Sequence, residues 1–508
     1  MNDASPKAAL SRPNIVIINA ESMDGRKMGC MGHAPLRNAT PHLDSLAAEG
    51  VLFTNAYSNF PVCNPSRASM WTGKYPNHYD CWNNHEGLRD GTPVFRDVFD
   101  QSGYQTAAIG PLDYAYGMHS IRDRVGSWTR AACIHRPTSR TPLPQIVENG
   151  KCDQRDWQRT EQAVEWLKEA SGTDKPFMLY LTTGLVHPAF VADHEHMARI
   201  DADKIEIPPT LGSADNVQHP VEKYIRITKN CDKPLSEAMV REIRHVYFAM
   251  IAALDDMVGR VLQAIDELGL RETTYIIFTS DHGEMAGEQN QILKRTMAEP
   301  SSHIPFIVRG PAVEQGKTVD TPIALIDLYP TLMDMAGIDY ATFAQRPEYA
   351  DSLDGESLLP QLAGNTLRMR DWAFCEYHGD RCCTGAFMLR RDNWKYIKYV
   401  GYAPQLFDLD NDPWEAQNVA PDHPDVVDEL DAILEANFDC AAIDARAKAY
   451  DYSSFVPWRT EQLAAGTYDD TMAHVYSGFD RQCIENLVPW REEDEERITA
   501  WLGEKSDT

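Results

Sequence analysis

The stretch Thr274-Tyr275-Ile276-Ile277-Phe278-Thr279-Ser280, followed at once by Asp281-His282-Gly283-Glu284, decides how this chain reads. A run rich in β-branched and aromatic residues, without polar alternation, suits a strand buried on both faces of a largely parallel sheet. Four further runs share that texture: 14–19 (NIVIIN), 104–110 (YQTAAIG), 176–182 (PFMLYLT) and 304–310 (IPFIVRG). Helical patterns fill the intervals. The clearest covers 236–268, where Ile243, Val246, Tyr247, Met250, Leu254, Met257, Val261 and Ile265 follow a 3.6-residue period. Strands alternating with helices predict an α/β fold.

From about residue 370 the texture changes. The short runs AFCEYH, GAFMLRR, WKYIKYV and PQLFDL, broken by turn-forming residues, predict a smaller antiparallel sheet. The expected organisation is an N-terminal extension (1–12), a catalytic α/β domain (13–368), an antiparallel subdomain (369–440) and an acidic, aromatic extension (441–508). That extension is expected to pack on the body or on a second copy in a homo-oligomer.

Of 508 residues, 43% are hydrophobic and 24% charged, enough for a substantial core. Lys and Arg number 48 against 76 Asp and Glu, a formal net charge of −28. This argues against nucleic acid as a partner, which needs a basic face, and against a polybasic membrane anchor. No apolar run approaches the roughly 18 residues of a membrane span. The 11 cysteines show no C-x-x-C pair, and MNDASPKAALSRPN has no apolar signal segment. A reduced, cytoplasmic setting is the expectation.

In parallel α/β sheets ligands bind beyond the carboxyl ends of the strands. After the first run stand Glu21-Ser22-Met23-Asp24, after the second Pro111-Leu112-Asp113 with His119 further on, after the third His187-Pro188, and after the fourth Asp281-His282-Gly283-Glu284. Carboxylates and imidazoles at several strand ends suit a divalent cation. Taken singly, such residues also serve as helix N-caps. The 82–88 stretch (WNNHEGL) offers Trp82, Asn83 and Asn84 to stack on and hydrogen-bond a sugar, and His378 of EYHGD is a candidate to reach the same pocket. Asp113 is a further candidate substrate contact.

The segment Cys63-Asn64-Pro65-Ser66-Arg67, followed by Thr72-Gly73, resembles the signature of the type I sulfatases, formylglycine-dependent members of the alkaline phosphatase superfamily. PNIVIINAES resembles the family's first metal-binding strand, FTSDHGE its second, and ILKRTMAEPSSHIPFIVRGP its lysine-bearing segment. ESMDGR, CWNNHEGL, GPLDYAYGMHSIRDRVGSWTR, RDWQRTEQAVEWL and PQLFDLDNDPWEAQNVA resemble the branch that removes 2-O-sulfate from glucuronate. The similarity runs from about residue 13 to 420.

The resemblance implies an alkaline-phosphatase-like sheet and hydrolysis of a small or sugar sulfate ester. It implies that a formylglycine-generating enzyme converts Cys63 to formylglycine, whose hydrate attacks sulfur. Arg67 would stabilise that diol, His119 serve as its base, Lys294 hold a sulfate oxygen and His187 assist the leaving oxygen. Glu21, Asp281 and His282 would hold one divalent metal ion, usually Ca2+ in this family. Three positions depart from the family pattern: Glu21 for the first aspartate, Ser22 for a second carboxylate, and Pro111 for a lysine. Three explanations for the lost cation stand open. Another residue supplies it, such as Arg122, Arg124 or Lys229; the substrate carries its own; or the scaffold serves a different metal-dependent reaction, a phosphoester or phosphonate hydrolysis or a lyase reaction on a zwitterionic small molecule. In that last case an unmodified Cys63 would ligate Mn2+ or Zn2+. A non-enzymatic binding protein on the same scaffold is the remaining alternative.

Overall fold

The computed structural model describes residues 12–117, 121–130, 144–148, 150–211, 219–229, 231, 235–349, 352–365, 370–477 and 492–506. In chain order its strands are β1 (Asn14–Ala20), β2 (Val51–Tyr57), β3 (Gln105–Ile109), β4 (Gln145–Val147), β5 (Phe177–Thr182), β6 (Val191–Asp193), β7 (Thr274–Ser280), β8 (His303–Arg309), β9 (Lys317–Val319), β10 (Ile323–Ala324), β11 (Trp372–Tyr377), β12 (Ala386–Arg391), β13 (Trp394–Tyr399) and β14 (Gln405–Asp408). The main sheet has the order β10-β2-β8-β7-β1-β5-β3, with β9 alongside β2. Within it β7, β1, β5 and β3 run parallel. The short β4 and β6 pair separately.

Period-two alternation divides β1 between two apolar layers. Val16, Ile18 and Ala20 face the layer built on helices Pro41–Ala48, Gln154–Ser171 and Glu237–Glu267; Ile15 and Ile17 face the layer of Cys63–Thr72, Phe95–Gln101 and Leu328–Ala336. Burial on both faces is why the β1, β5 and β7 sequences are continuously apolar. The long helix Glu237–Glu267 starts at Ser236, whose side chain accepts from the Met239 N–H, and buries the periodic face read from sequence.

Two strand readings are corrected, and one strand was not read from the sequence. β8 is as apolar as β7, yet it pairs antiparallel with both β7 and β2, because double-sided burial carries no information about direction. Its reversal keeps the 281–302 connection at one end of the sheet. β3 is a half-buried edge strand rather than a central one. β2 (VLFTNAY) escapes the pattern because Thr54 and Asn55 interrupt it, and the register with β8 shifts between Phe53 and Ala56.

β11 to β14 form the expected antiparallel sheet in sequential order. It is covered by Leu430 and Leu434 of helix Pro424–Asn437 and meets the α/β body at Phe60, Val62, Tyr75 and Trp82. The described part of the C-terminal extension packs on its own chain. Phe455, Tyr468, Met472, Ile498 and Trp501 close over Val125 and Trp128, and Arg130 pairs with Asp451 at 2.5 Å. No helix among the described residues is long and apolar enough to cross a membrane, and the nine described cysteines are all free.

Candidate active site

Register fixes the core of the site. Ala20 lies opposite Ser280 across β1 and β7, so Glu21 and Asp281 leave adjacent strands side by side. Asn19 lies opposite Thr182, and Ile109 opposite Leu181, which brings 183–187 and 110–113 to the same edge. Sharp turns hold these ends: Ser22 and Asp113 adopt left-handed backbone, at φ 66° and 47°. Gly110 has φ 103°, and a Cβ there would lie 1.9 Å from the Thr182 carbonyl oxygen, so only glycine fits.

Into this edge points the N-terminus of helix Cys63–Thr72, every residue of which is buried. Cys63 is the first helical residue and is 4% exposed. Its Sγ lies 3.3 Å from His282 Nε2 and 3.6 Å from Glu21 Oε1. One turn on, Arg67 is fully buried: Nε donates to Asp281 Oδ2 at 2.9 Å, and Nη1 donates to the Pro111 carbonyl at 2.5 Å and to Thr182 Oγ1 at 3.2 Å. Its Nη2 makes no hydrogen bond and lies 3.6 Å from Glu21 Oε2. Although Glu21 is one methylene longer than an aspartate, its carboxylate still meets Cys63 and Arg67.

Across the site Lys294 Nζ donates to His187 Nε2 at 2.6 Å, while His187 Nδ1 donates to the Pro188 carbonyl at 2.5 Å. That fixes the neutral tautomer, with the Nε2 lone pair toward Lys294. Burial, then the Lys294 ammonium, hold the His187 pKa well below its usual value. His282 is set the same way. Its Nδ1 donates to the Gly283 carbonyl at 2.9 Å, leaving the Nε2 lone pair toward Cys63, and burial keeps it neutral down to about 3. Burial opposes the charge on Asp281, but with Arg67 and Lys294 beside it the carboxyl stays low, at about 2; two backbone N–H groups, of Ser22 and His282, also donate to its Oδ1. Glu21 is pushed up to about 7 by burial and by the neighbouring Asp281 and Asp113. Burial also raises the Cys63 thiol, with Glu21 and Asp281 adding to it.

The structure therefore gathers Glu21, Cys63, Arg67, His187, Asp281, His282 and Lys294, with Asp113 close enough to act on the charges of Glu21, Cys63 and Arg67. His119 and the side chain of Arg122 lie outside the described residues. The sugar-stacking reading of 82–88 is corrected. Trp82 is 0% exposed, covered by the Arg446 guanidinium on its face and by His378 edge-on. The Asn83 carbonyl oxygen accepts from the His85 and Glu86 N–H groups, and that of Asn84 from the Asn64 N–H. His378 is buried against Trp82, Phe387 and Glu376. The ring faces of Trp82 and His378 are thus covered within the protein, while Trp82 Nε1, Asn83 Nδ2 and His378 Nδ1 keep no hydrogen-bond partner among the described residues. Lys229 and Arg124 are likewise not loose cations: Lys229 Nζ donates to Gln291 and to the Lys294 carbonyl, and Arg124 Nε to His85 Nδ1. Sequence reasoning missed Thr182, which only register brings to Arg67, and the structural use of Glu284, whose carboxylate accepts from the Ala286 and Leu293 N–H groups.

Ligand-capable atoms of Glu21, Cys63 and His187, and of Cys63, Asp281 and His282, lie within 4.8 Å of one another. Each set joins one carboxylate and one imidazole to the Cys63 sulfur, and such donors fit a divalent cation. The largely parallel sheet flanked by helices, with its smaller antiparallel sheet, is an alkaline-phosphatase-like fold. The chain belongs to the sulfatase family of sulfuric ester hydrolases: the model described as Sulfatase matches residues 13–338, and that described as N-sulphoglucosamine sulphohydrolase, C-terminal, matches 287–439. Arylsulfatase K of Bos taurus is 34% identical over 522 residues, covering 97% of this chain and 93% of that protein; arylsulfatase K of Homo sapiens is 34% identical over 497 residues, covering 92% and 90%. Among solved structures, a phosphonate monoester hydrolase of Agrobacterium radiobacter aligns with a TM-score of 0.68 at 25% identity, covering 86% of this chain and 96% of that one. A 2-O GAG sulfatase aligns at 0.64 with 23% identity, covering 88% and 94%, and shares the fold.

Proposed function

We propose that this enzyme hydrolyses the sulfate ester of a small, uronate-type sugar, using formylglycine made from Cys63 and one Ca2+ ion. The observation that carries the reading is the placement of Cys63 Sγ at a helix N-terminus, 3.3 Å from His282 Nε2 and 3.6 Å from Glu21 Oε1. The uronate assignment draws on the resemblance of segments such as ESMDGR and CWNNHEGL to the branch that removes 2-O-sulfate from glucuronate.

Glu21, Asp281 and His282 would hold the ion, which when bound offsets the charge of sulfate oxygens and acidifies the attacking hydroxyl. Formylglycine at position 63 would supply that hydroxyl as a hydrated aldehyde. The chain's own residues set the rest. Arg67, permanently charged and anchored through Nε and Nη1, keeps Nη2 for an oxygen anion beside residue 63. Lys294 and His187 hold one mobile proton between Nζ and Nε2, which serves a departing sugar oxygen. Pro111 gives Arg67 its carbonyl but adds no charge, so the site compensates fewer anionic oxygens than a lysine there would allow. Together with a net charge of −28, this favours a singly sulfated, small substrate over a highly sulfated polymer.

The test is expression with a formylglycine-generating enzyme, peptide mass spectrometry across Cys63, metal analysis, and turnover of 4-nitrophenyl sulfate and of a 2-O-sulfated glucuronate disaccharide. Formylglycine, one calcium per chain and disaccharide turnover are expected. A free thiol in a fully active enzyme, holding manganese or zinc and preferring phosphonate or phosphate esters, would replace this reading with a repurposed site.

A further inference from the structure

Lys294 sits in the 281–302 connection, where the Leu293 carbonyl accepts from the Met285 N–H at 2.9 Å. The residues on either side, Leu293 and Arg295, have left-handed conformations at φ 65° and 85°, unfavourable for side chains of this size. Hydrogen bonds from within the connection and from outside it hold these residues. Glu284 Oε1 accepts from the Leu293 N–H at 2.6 Å, and the Pro61 carbonyl accepts from the Arg295 N–H at 3.2 Å. Helix Pro220–Thr228 supplies the other two grips: Glu222 accepts from Thr296 Oγ1 at 3.0 Å, and Lys229, which caps the helix, donates from Nζ to the Lys294 carbonyl at 2.9 Å.

Lys229 is an expensive way to satisfy one carbonyl. It is fully buried and makes no salt bridge among the described residues; its other acceptor is Gln291 Oε1 at 2.8 Å. A buried ammonium without a contacting carboxylate is held against a desolvation penalty that an apolar side chain of the same length would not meet. Packing alone therefore does not explain a lysine here. We infer that Lys229 is a positioning residue for Lys294, fixing its carbonyl so that its ammonium enters the site against His187 Nε2. This assignment also answers what a second lysine does in a site whose Pro111 brings no cation: it aims the one that remains.

The inference rests on the reading that Lys294 takes part in sulfate ester hydrolysis, and its test separates the two. In formylglycine-bearing enzyme assayed with 4-nitrophenyl sulfate, Lys229→Met should lower kcat by at least about tenfold, as a displacement near 1 Å of a reacting group does. KM should hold to within about twofold, since the loss falls on the transition state. In a Lys294→Ala background the same substitution should cost nothing further. Crystal structures of the parent and of Lys229→Met should show Lys294 Nζ leaving His187 Nε2. If Lys229→Met does not fold, Lys229→Gln, which keeps a donor but shortens its reach, takes its place with the same expectations. Equal losses in both backgrounds, or an unmoved Lys294, would overturn the inference. Absence of sulfate turnover by the parent enzyme would sink the functional reading instead, and the crystallographic comparison would still decide the role of Lys229.

Discussion

Two clusters in the α/β body are built from the same kinds of residue. Cys63, Asp281 and His282 bring ligand-capable atoms within 4.8 Å, and so do Cys152, Asp193 and His196, all six residues buried. What differs is whether those atoms are already used. His196 lies between two carboxylates, with Nδ1 2.7 Å from Asp193 and Nε2 3.2 Å from Asp256, so both nitrogens donate and no lone pair remains. Asp193 also caps helix His194–Arg199 through the His196 N–H and accepts from the Cys152 N–H at 2.9 Å. At the strand edge, His282 commits Nδ1 to the Gly283 carbonyl and turns its Nε2 lone pair to Cys63 Sγ rather than to a carboxylate, and Arg67 Nη2 has no hydrogen-bond partner among the described residues. Composition proposes a site; unspent donors and acceptors define it.

The largest test of that contrast is Cys63→Ala, expected to reduce sulfate turnover to the uncatalysed level, while Cys152→Ala leaves kcat/KM unchanged. Turnover surviving in Cys63→Ala would erase the distinction. Next, Asp281→Asn should abolish the bound divalent ion, measured by elemental analysis, and lower kcat by about 10²–10³. Asp193→Asn should leave metal content as it is, and a loss of metal there would make the second cluster the real centre. Pro111→Lys should raise 4-nitrophenyl sulfate turnover by about tenfold or more if a missing cation limits the reaction; no gain would mean that the pocket is built for a different charge.

The smallest effect belongs to the satisfied cluster. His196→Gln should cost about 1–3 kcal/mol of stability, as loss of buried charged hydrogen bonds does, with kcat unchanged. Burial opposes the imidazolium, yet Asp256 and Asp193 raise the His196 pKa above its usual value. The folded protein therefore binds that proton more tightly than the unfolded chain. The stabilisation is fully present below about pH 6.5 and is lost as pH rises through the folded pKa. Denaturant unfolding at pH 6 and pH 9 should show this loss in the parent and not in His196→Gln.

Much of the site was legible because strand ends carry it: a run such as TYIIFTS announces where Asp281 and His282 must emerge, and CNPSR marks Cys63 and Arg67. The wall of the pocket was not. Trp82 and His378 have the chemistry of sugar contacts, but they are packed on each other, and whether an aromatic face is open depends on what lies across it. Thr182 and Lys229 carried no local signal either, since each acquires its role from a partner distant in sequence, Arg67 and Lys294.

The sequence by itself determined that this is an α/β chain with a smaller antiparallel sheet, a sulfatase signature, and carboxylates and imidazoles at the strand ends. Those are properties of short segments, set by periodicity and by residue chemistry. Only the tertiary structure decided that β8 runs backwards and keeps Lys294 over the site, that the Pro111 carbonyl holds Arg67, and which of two Cys-Asp-His clusters has atoms to spare. Direction, register and hydrogen-bond satisfaction are relations between segments, and no single segment encodes them.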